Sequence, residues 1–281
     1  RLRTILITGA TEGVGRQTAV DLAAHPHNYL IIHGRTVDKC QAALAHILRE
    51  NGSTENVSTV VANLASMKET SLLADEILLH YPSLNVLVCN AGILQPRRTE
   101  TKDGLEATFQ VNYLAHFILC NRLCELLARN APAKIVVVGS ILHTWAALNW
   151  SDPQAIRDYE KYLQFSRSKL MTHMMAFALH RRMVLSHKPV TVNVVELARE
   201  RREPNNNRSA SALSSSDSTH SVSSRCIDGL VQLIESPAAD RLSGKYLDAH
   251  GKQIRSGSDA TDERQQERLW EYTTELCKEY L

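Results

Sequence analysis

The chain has 281 residues, 43% hydrophobic and 22% charged, with 32 Lys and Arg against 30 Asp and Glu for a formal charge of +2. That length suits one large α/β domain with a sizeable core. The near-neutral balance gives no support to a polyanion partner, so nucleic-acid binding is set aside.

Ile5, Leu6 and Ile7 form the first expected strand, Gly9, Gly13 and Gly15 follow, and Val14, Thr18, Leu22 and Ala23 then repeat at helical spacing. A strand, a glycine turn and a helix N-terminus make an anion site, because backbone N–H groups point outward and the helix dipole favours negative charge. The G-x-x-x-G-x-G spacing is one residue wider at its start than the commoner dinucleotide fingerprint. Thr8, Gly9, Thr11, Gly13, Val14, Gly15 and Arg16 are therefore the candidate phosphate-binding residues. Tyr29 to His33 reads as the second strand. In a dinucleotide fold its end faces the adenosine ribose, where an acidic residue suits a 2′-hydroxyl and an arginine a 2′-phosphate. Arg35 stands there and no Asp or Glu does, which favours NADP(H) over NAD(H).

Residues 37–51 are helical in pattern with Gly52 as C-cap, and Val57 to Ala62 is a third strand leading into Asn63 and Leu64. Ser66 to Glu69 has capping-box order and opens a helix to about His80. Leu84 to Cys89 is a fourth strand, ending in Asn90-Ala91-Gly92, whose small residues would let a flat ring lie against the backbone. A long helix is expected over about 101–129, with the polar Asn112 inside it. Ile135 to Val138 is a fifth strand ending in Gly139-Ser140, residues 153–185 a second long helix, and Val190 to Val195 a sixth strand. The stretch 196–224 is charged, then Asn- and Ser-rich, and reads as a mobile substrate-side insertion. A helix near 225–234, a seventh strand at Gly244 to Leu247 and a terminal helix over 262–277 complete the chain. The expected fold is a single doubly wound Rossmann domain over 1–281, a mostly parallel seven-stranded sheet with helices on both faces.

The cysteines (Cys40, Cys89, Cys120, Cys124, Cys226, Cys277) form no C-x-x-C pair, which fits a reduced, cytoplasmic compartment, and no metal site is expected. No apolar run is long enough to span a membrane, and no signal peptide is evident. The start at Arg1, without a methionine, leaves room for an upstream anchor or targeting segment.

Thr8 to Gly15 resembles the nucleotide signature of the short-chain dehydrogenases/reductases, and Asn90-Ala91-Gly92 their second signature. Val111 to Phe117 is similar to the stretch bearing the family's catalytic Asn, and Val138-Gly139-Ser140 to the strand end bearing its catalytic Ser. Ser243 to Tyr246, Arg268-Leu269-Trp270 and Cys277 look like the retinol dehydrogenase-like branch, which includes the WW-domain oxidoreductases. The resemblance implies hydride transfer between a nicotinamide and a hydrophobic alcohol or carbonyl. It also implies roles for Ser140, Lys169 and Asn112, and a possible homodimer through the two long helices. The family's acid–base group is the Tyr of a Y-x-x-x-K pattern, and here Phe165 occupies that position, four before Lys169. Phenylalanine has no ionisable proton. Further departures are Leu197-Ala198 in place of Pro-Gly and Asn63 in place of an Asp. Tyr162, one turn before Phe165, and His143, three after Ser140, are the candidate substitutes.

Two functional readings follow: an NADP(H)-dependent oxidoreductase weakened by Phe165, or a catalytically inactive NADP(H)-binding sensor or interaction protein. A scaffold without cofactor fits least well with the intact glycines, Asn90, Asn112 and Lys169.

Overall fold

The computed structural model describes residues 2–197 and 227–281. The expected insertion lies outside them, apart from Glu196 and Leu197. In chain order the elements are β1 (Arg3–Ile7), α1 (Gly13–Ala23), β2 (Asn28–Gly34), α2 (Val37–Asn51), β3 (Val57–Val61), α3 (Met67–His80) and β4 (Val86–Cys89). Then come α4 (Ala107–Phe109), a π-helical turn (Gln110–Leu114), α5 (Ala115–Arg129), β5 (Ala133–Val138), α6 (Lys161–Leu185) and β6 (Val190–Val195). After the undescribed stretch follow α7 (Asp228–Glu235), β7 (Lys245–Leu247), β8 (Gln253–Ile254), α8 (Ser258–Thr261) and α9 (Glu263–Cys277).

One sheet runs in the order β3-β2-β1-β4-β5-β6-β7-β8. Seven strands are parallel, and β8 is an antiparallel eighth beyond the seven the sequence led us to expect. Strand side chains alternate between two cores, as a period of two requires. Leu6, Ile31, Leu87 and Ile135 pack toward α3, α5 and α6 with Phe109, Tyr113 and Phe117. Ile5, Ile7, Leu30 and Val88 pack toward α1, α2 and α7 with Leu22, Ile47 and Leu230. Burial on both faces explains the near-continuous apolar strands. The order reverses between β1 and β4, which is where an open α/β sheet offers a crevice for ligands.

Local chemistry sets the helix ends. Gly52 ends α2 in the left-handed conformation, φ 74°, and its N–H returns to Leu48 O at 2.8 Å. Ser66 caps α3 by accepting from Glu69 N, but the Glu69 carboxylate reaches Asn63 N at 2.8 Å instead of closing the capping box. Both long helices begin later than their patterns suggested. Residues 101–106 form a turn in which the Thr101 hydroxyl accepts from Asp103 N and Leu105 N, and Glu106 then caps α4. Asp152 likewise accepts from Ile156 N and Arg157 N, so α6 starts only at Lys161, capped by Glu160. α9 packs across the two long helices: Trp270 stands edge-on to Phe117 at 4.7 Å, and the Arg182 guanidinium lies 3.9 Å over it. No helix among the described residues is long and apolar enough to cross a membrane.

Candidate functional site

A cleft of about 720 Å³ opens at the C-terminal ends of β1, β4 and β5. Its lining includes Gly9, Thr11, Gly13, Val14 and Gly15, then Arg35, Asn63, Leu64, Asn90, Ala91, Gly92, Ser140 and Lys169. Residues from six separate segments are thereby brought together.

The glycine turn leaves no room for side chains where it meets the rest of the fold. A Cβ on Gly15 would lie 2.3 Å from Gly9 O, and one on Gly9, at φ +63°, 2.8 Å from Ala91 Cα. Gly13, at φ +56°, faces open space instead. Glu12 is the N-cap of α1 but makes no side-chain cap bond, so its side chain leaves the first N–H groups of the helix uncapped. These features fit a dinucleotide, whose pyrophosphate needs close backbone approach and a helix N-terminus.

Several predicted residues act from behind this surface. Thr8 is fully buried and outside the lining; its hydroxyl accepts from Asn90 N at 2.9 Å and Ala91 N at 3.0 Å. Asn90 reciprocates through Nδ2 to Thr8 O and Gly9 O, tying β1 to β4. His116 donates from Nδ1 to Asn112 O, so Nε2 faces the Thr8 hydroxyl at 2.8 Å as an acceptor. Burial pushes its pKa down to about 4, which keeps it neutral. Asn112 is 1% exposed and sits in the π-helical turn, a distortion often found at functional sites. It clamps the chain after Gly92, accepting from Ile93 N at 2.7 Å and donating to Ile93 O and to the Ser168 hydroxyl, each at 3.0 Å.

At the adenosine end Arg35 lines the cleft but Arg16 does not. Arg16 lies toward α2, where its charge adds to burial in lowering the pKa of His46. The second cation is instead Lys39, from the first turn of α2, paired with Glu12 at 3.0 Å. His33 supports the turn from below, accepting Gly9 N–H at Nδ1 and donating from Nε2 to Ala62 O, and burial lowers its pKa. The sequence reading missed both: Lys39 looks like a solvated helix residue, and His33 like part of a strand.

At the opposite end Lys169 is buried and donates to Val138 O at 2.9 Å. Desolvation pulls its pKa down to about 8. The Phe165 ring lines the cleft with Lys169 Nζ 5.8 Å from its centroid. Neither proposed substitute reaches this place. Tyr162 is 48% exposed and outside the lining, with Lys161 Nζ 4.8 Å over its ring. Three residues on a helix amount to a shift of about 60° in facing and 4.5 Å along the axis, enough to carry it off the cleft face. His143 is buried behind Ser140: Nδ1 donates to Ser140 O at 2.6 Å, and Nε2 accepts from Gly257 N at 2.9 Å. It stacks on His173 at 3.8 Å, and His173 in turn accepts Ser140 N–H at 3.3 Å. Glu196, on the cleft wall, accepts from Ile141 N at 3.0 Å and from the Tyr246 hydroxyl. The loop bearing Ser140 is therefore held from both sides, by His143 and by two groups the sequence did not nominate, His173 and Glu196. Leu197 also lines the cleft, while Ala198 lies outside the described residues.

The short chain dehydrogenase family model matches residues 3–198. Human retinol dehydrogenase 13 is 30% identical across 98% of this chain and 84% of its own length. Human retinol dehydrogenase 14 is 37% identical over 69% of this chain, and human WW domain-containing oxidoreductase 35% over the same share. The chain spans 60% and 48% of those two proteins. A short chain dehydrogenase from Escherichia coli CFT073, solved with NADPH, superposes with a TM-score of 0.63 over 88% of this chain and 96% of its own, at 22% identity. A Mycobacterium paratuberculosis protein superposes at 0.73 over 98% of this chain and 93% of its own, also at 22% identity. The chain belongs to the short chain dehydrogenase family, a family of nicotinamide-dependent oxidoreductases. Within it, retinol dehydrogenases 13 and 14 and WW domain-containing oxidoreductase are among the relatives it resembles in sequence.

Proposed function

We propose that this chain binds NADP(H) in the cleft and transfers hydride, slowly, to or from a hydrophobic alcohol or carbonyl. The observation that carries the reading is the assembly of the glycine turn, Asn90 to Gly92, Ser140 and Lys169 around one cleft. The glycine turn would take the pyrophosphate, Arg35 and Lys39 a 2′-phosphate, Asn63 and Leu64 the adenine, and Lys169 the nicotinamide ribose. Bound there, the coenzyme supplies or accepts the hydride.

Ser140 would hold the substrate oxygen by hydrogen bond, and Asn112 fixes the chain after Gly92. Phe165 presents a hydrocarbon edge where that oxygen needs a proton partner. Removal of a general acid–base group typically costs about 10²–10⁴ in rate, so turnover is expected to be slow. The substrate class is drawn from the retinol dehydrogenase-like relatives.

The Phe165 ring also favours a second reading on the same site: a coenzyme sensor that binds without turnover. NADPH fluorescence titration followed by turnover assays with retinoid, steroid and aliphatic carbonyls separates the two. Enhancement with slow turnover supports the enzyme, enhancement without turnover the sensor, and no enhancement defeats both.

A further inference from the structure

At the other end of the sheet from the cleft, three potential metal ligands converge that the dinucleotide reading does not use. His25 and His27 flank Pro26 in the loop from α1 to β2, and Glu235 is the last residue of α7. One donor atom from each lies within 4.8 Å of the others, and this is the one such cluster of three found among the described residues. His25 Nδ1 is 2.6 Å and His27 Nε2 3.7 Å from Glu235 Oε1.

We propose that His25, His27 and Glu235 form a site for a divalent transition-metal ion, with Zn²⁺ as the natural probe and solvent water completing its coordination.

The donor set carries the chemical class. Two imidazoles and one carboxylate suit zinc, cobalt, nickel or copper, whereas magnesium and calcium prefer oxygen-only shells. Bonds of about 2.0–2.2 Å to zinc place tetrahedral ligand atoms roughly 3.3 Å apart, a value between the two histidine–Glu235 separations of 2.6 and 3.7 Å. The adjustment is small. His25 must open its contact with Glu235 slightly, and one ring must turn, because the two imidazoles stack at 5.6 Å with only 5° between their planes. Both histidine side chains are 46% exposed, so neither rotation is obstructed by packing. The hydrogen on His25 Nδ1 moves to Nε2, or to solvent where the ring was charged, as the lone pair turns to the ion.

The backbone beneath is already fixed. His25 N–H bonds to Leu22 O, Asn28 N–H to His25 O at 3.0 Å, and Arg3 N–H to His27 O at 2.8 Å. Asn28 Nδ2 donates to Glu235 Oε1 at 2.8 Å, an outer-shell contact of the kind that orients a ligating carboxylate. Nearby charges oppose one another. The Arg3 guanidinium donates to Glu235 O, and Asp21 on α1 is near enough to His25 to feel its charge. A bound ion would join residues 25 and 27 to residue 235, closing a loop over most of the chain and tying α7 to the edge of the α1–β2 turn. Its effect is therefore on stability and on the seating of α7, away from the cleft.

The test uses tag-free protein at neutral pH with a thiol-specific reductant that does not bind metal. Calorimetric titration should show one equivalent of Zn²⁺, with a rise of a few degrees in melting temperature. Cobalt substitution should give weak d–d bands without an intense thiolate charge-transfer band. The double variant His25→Ala/His27→Ala should abolish uptake, and Glu235→Gln, which keeps the Asn28 contact, should weaken it at least tenfold. The metal-free melting temperature of each variant reports that the fold survives. No uptake by the parent protein, uptake unchanged in the double variant, or a cobalt–thiolate band would each overturn the proposal.

Discussion

The two ends of the cleft differ in completeness. At the phosphate end the glycine turn has a backbone shape that the fold itself demands: Gly9 and Gly15 are glycines because Ala91 and the Gly9 carbonyl leave no space for a Cβ. At the other end Ser140 and Lys169 line the cleft, yet Phe165 carries no ionisable proton and no hydroxyl of α6 is in the lining. On the proposed reading the pyrophosphate would rest on main-chain shape, which sequence change disturbs only by wrecking the turn. Proton transfer rests on one atom, which a single substitution removes without a trace in the fold.

The sharpest way to break this contrast is Phe165→Tyr. The phenol would enter beside Lys169, whose Nζ already lies 5.8 Å from the ring centre. A nearby cation favours the phenolate and readies it for proton exchange. Turnover is expected to rise by about 10²–10⁴-fold with little change in NADPH affinity. Unchanged turnover would mean that the reaction end lacks more than its proton donor.

Gly15→Ala attacks the other end. Its Cβ would fall 2.3 Å from the Gly9 carbonyl oxygen, so the turn must move. Overpacking of this kind costs about 1–3 kcal/mol, and both melting temperature and NADPH binding should fall together. Arg35→Ala is subtler, since the side chain is exposed and partly screened. A preference for NADPH over NADH should shrink by about tenfold while NADH affinity holds, as expected when one charge-assisted contact to phosphate is lost. Equal losses for both coenzymes would remove Arg35 from the 2′-phosphate.

Lys169 gives two pH effects of opposite sign. Its ammonium is present below about pH 8 and is lost as pH rises through that value. Coenzyme affinity should therefore drop severalfold above pH 8. Stability should move the other way. Between pH 8 and the ordinary lysine range the unfolded chain holds a proton that the native chain has released, so this group makes unfolding harder as pH rises. The comparison is with Lys169→Met, in which both trends should flatten in fluorescence titrations and denaturant melts.

Much of the phosphate end was legible because its requirements are local. Glycines at fixed offsets between a strand and a helix need no knowledge of the rest of the fold, and Arg35 follows from the end of β2. The same holds for Asn90 and Ser140 at strand ends. Lys39, His33 and Glu196 were not legible, because only packing of α2, β2 and β7 around the cleft gives them their roles. Helical phase misled the reading elsewhere. Arg16 follows the glycine turn by one residue but lies toward α2, and the helical pattern over 153–160 breaks where Asp152 accepts two backbone N–H groups.

The smallest expected effect is also the most direct check on phase. Tyr162→Phe removes the hydroxyl nearest in sequence to the missing phenol while leaving its ring beneath Lys161. If facing decides, the hydroxyl at residue 162 contributes nothing, and both NADPH affinity and any turnover should stay within about twofold of the parent, as for a surface change. The same substitution in the Phe165→Tyr background should also be neutral, since the two sites share no partner and their effects add. A loss of turnover in Tyr162→Phe alone would require α6 to shift by most of a turn when substrate binds. The proton source would then be a conformational state and not a fixed residue, and the divide between the two ends of the cleft would close.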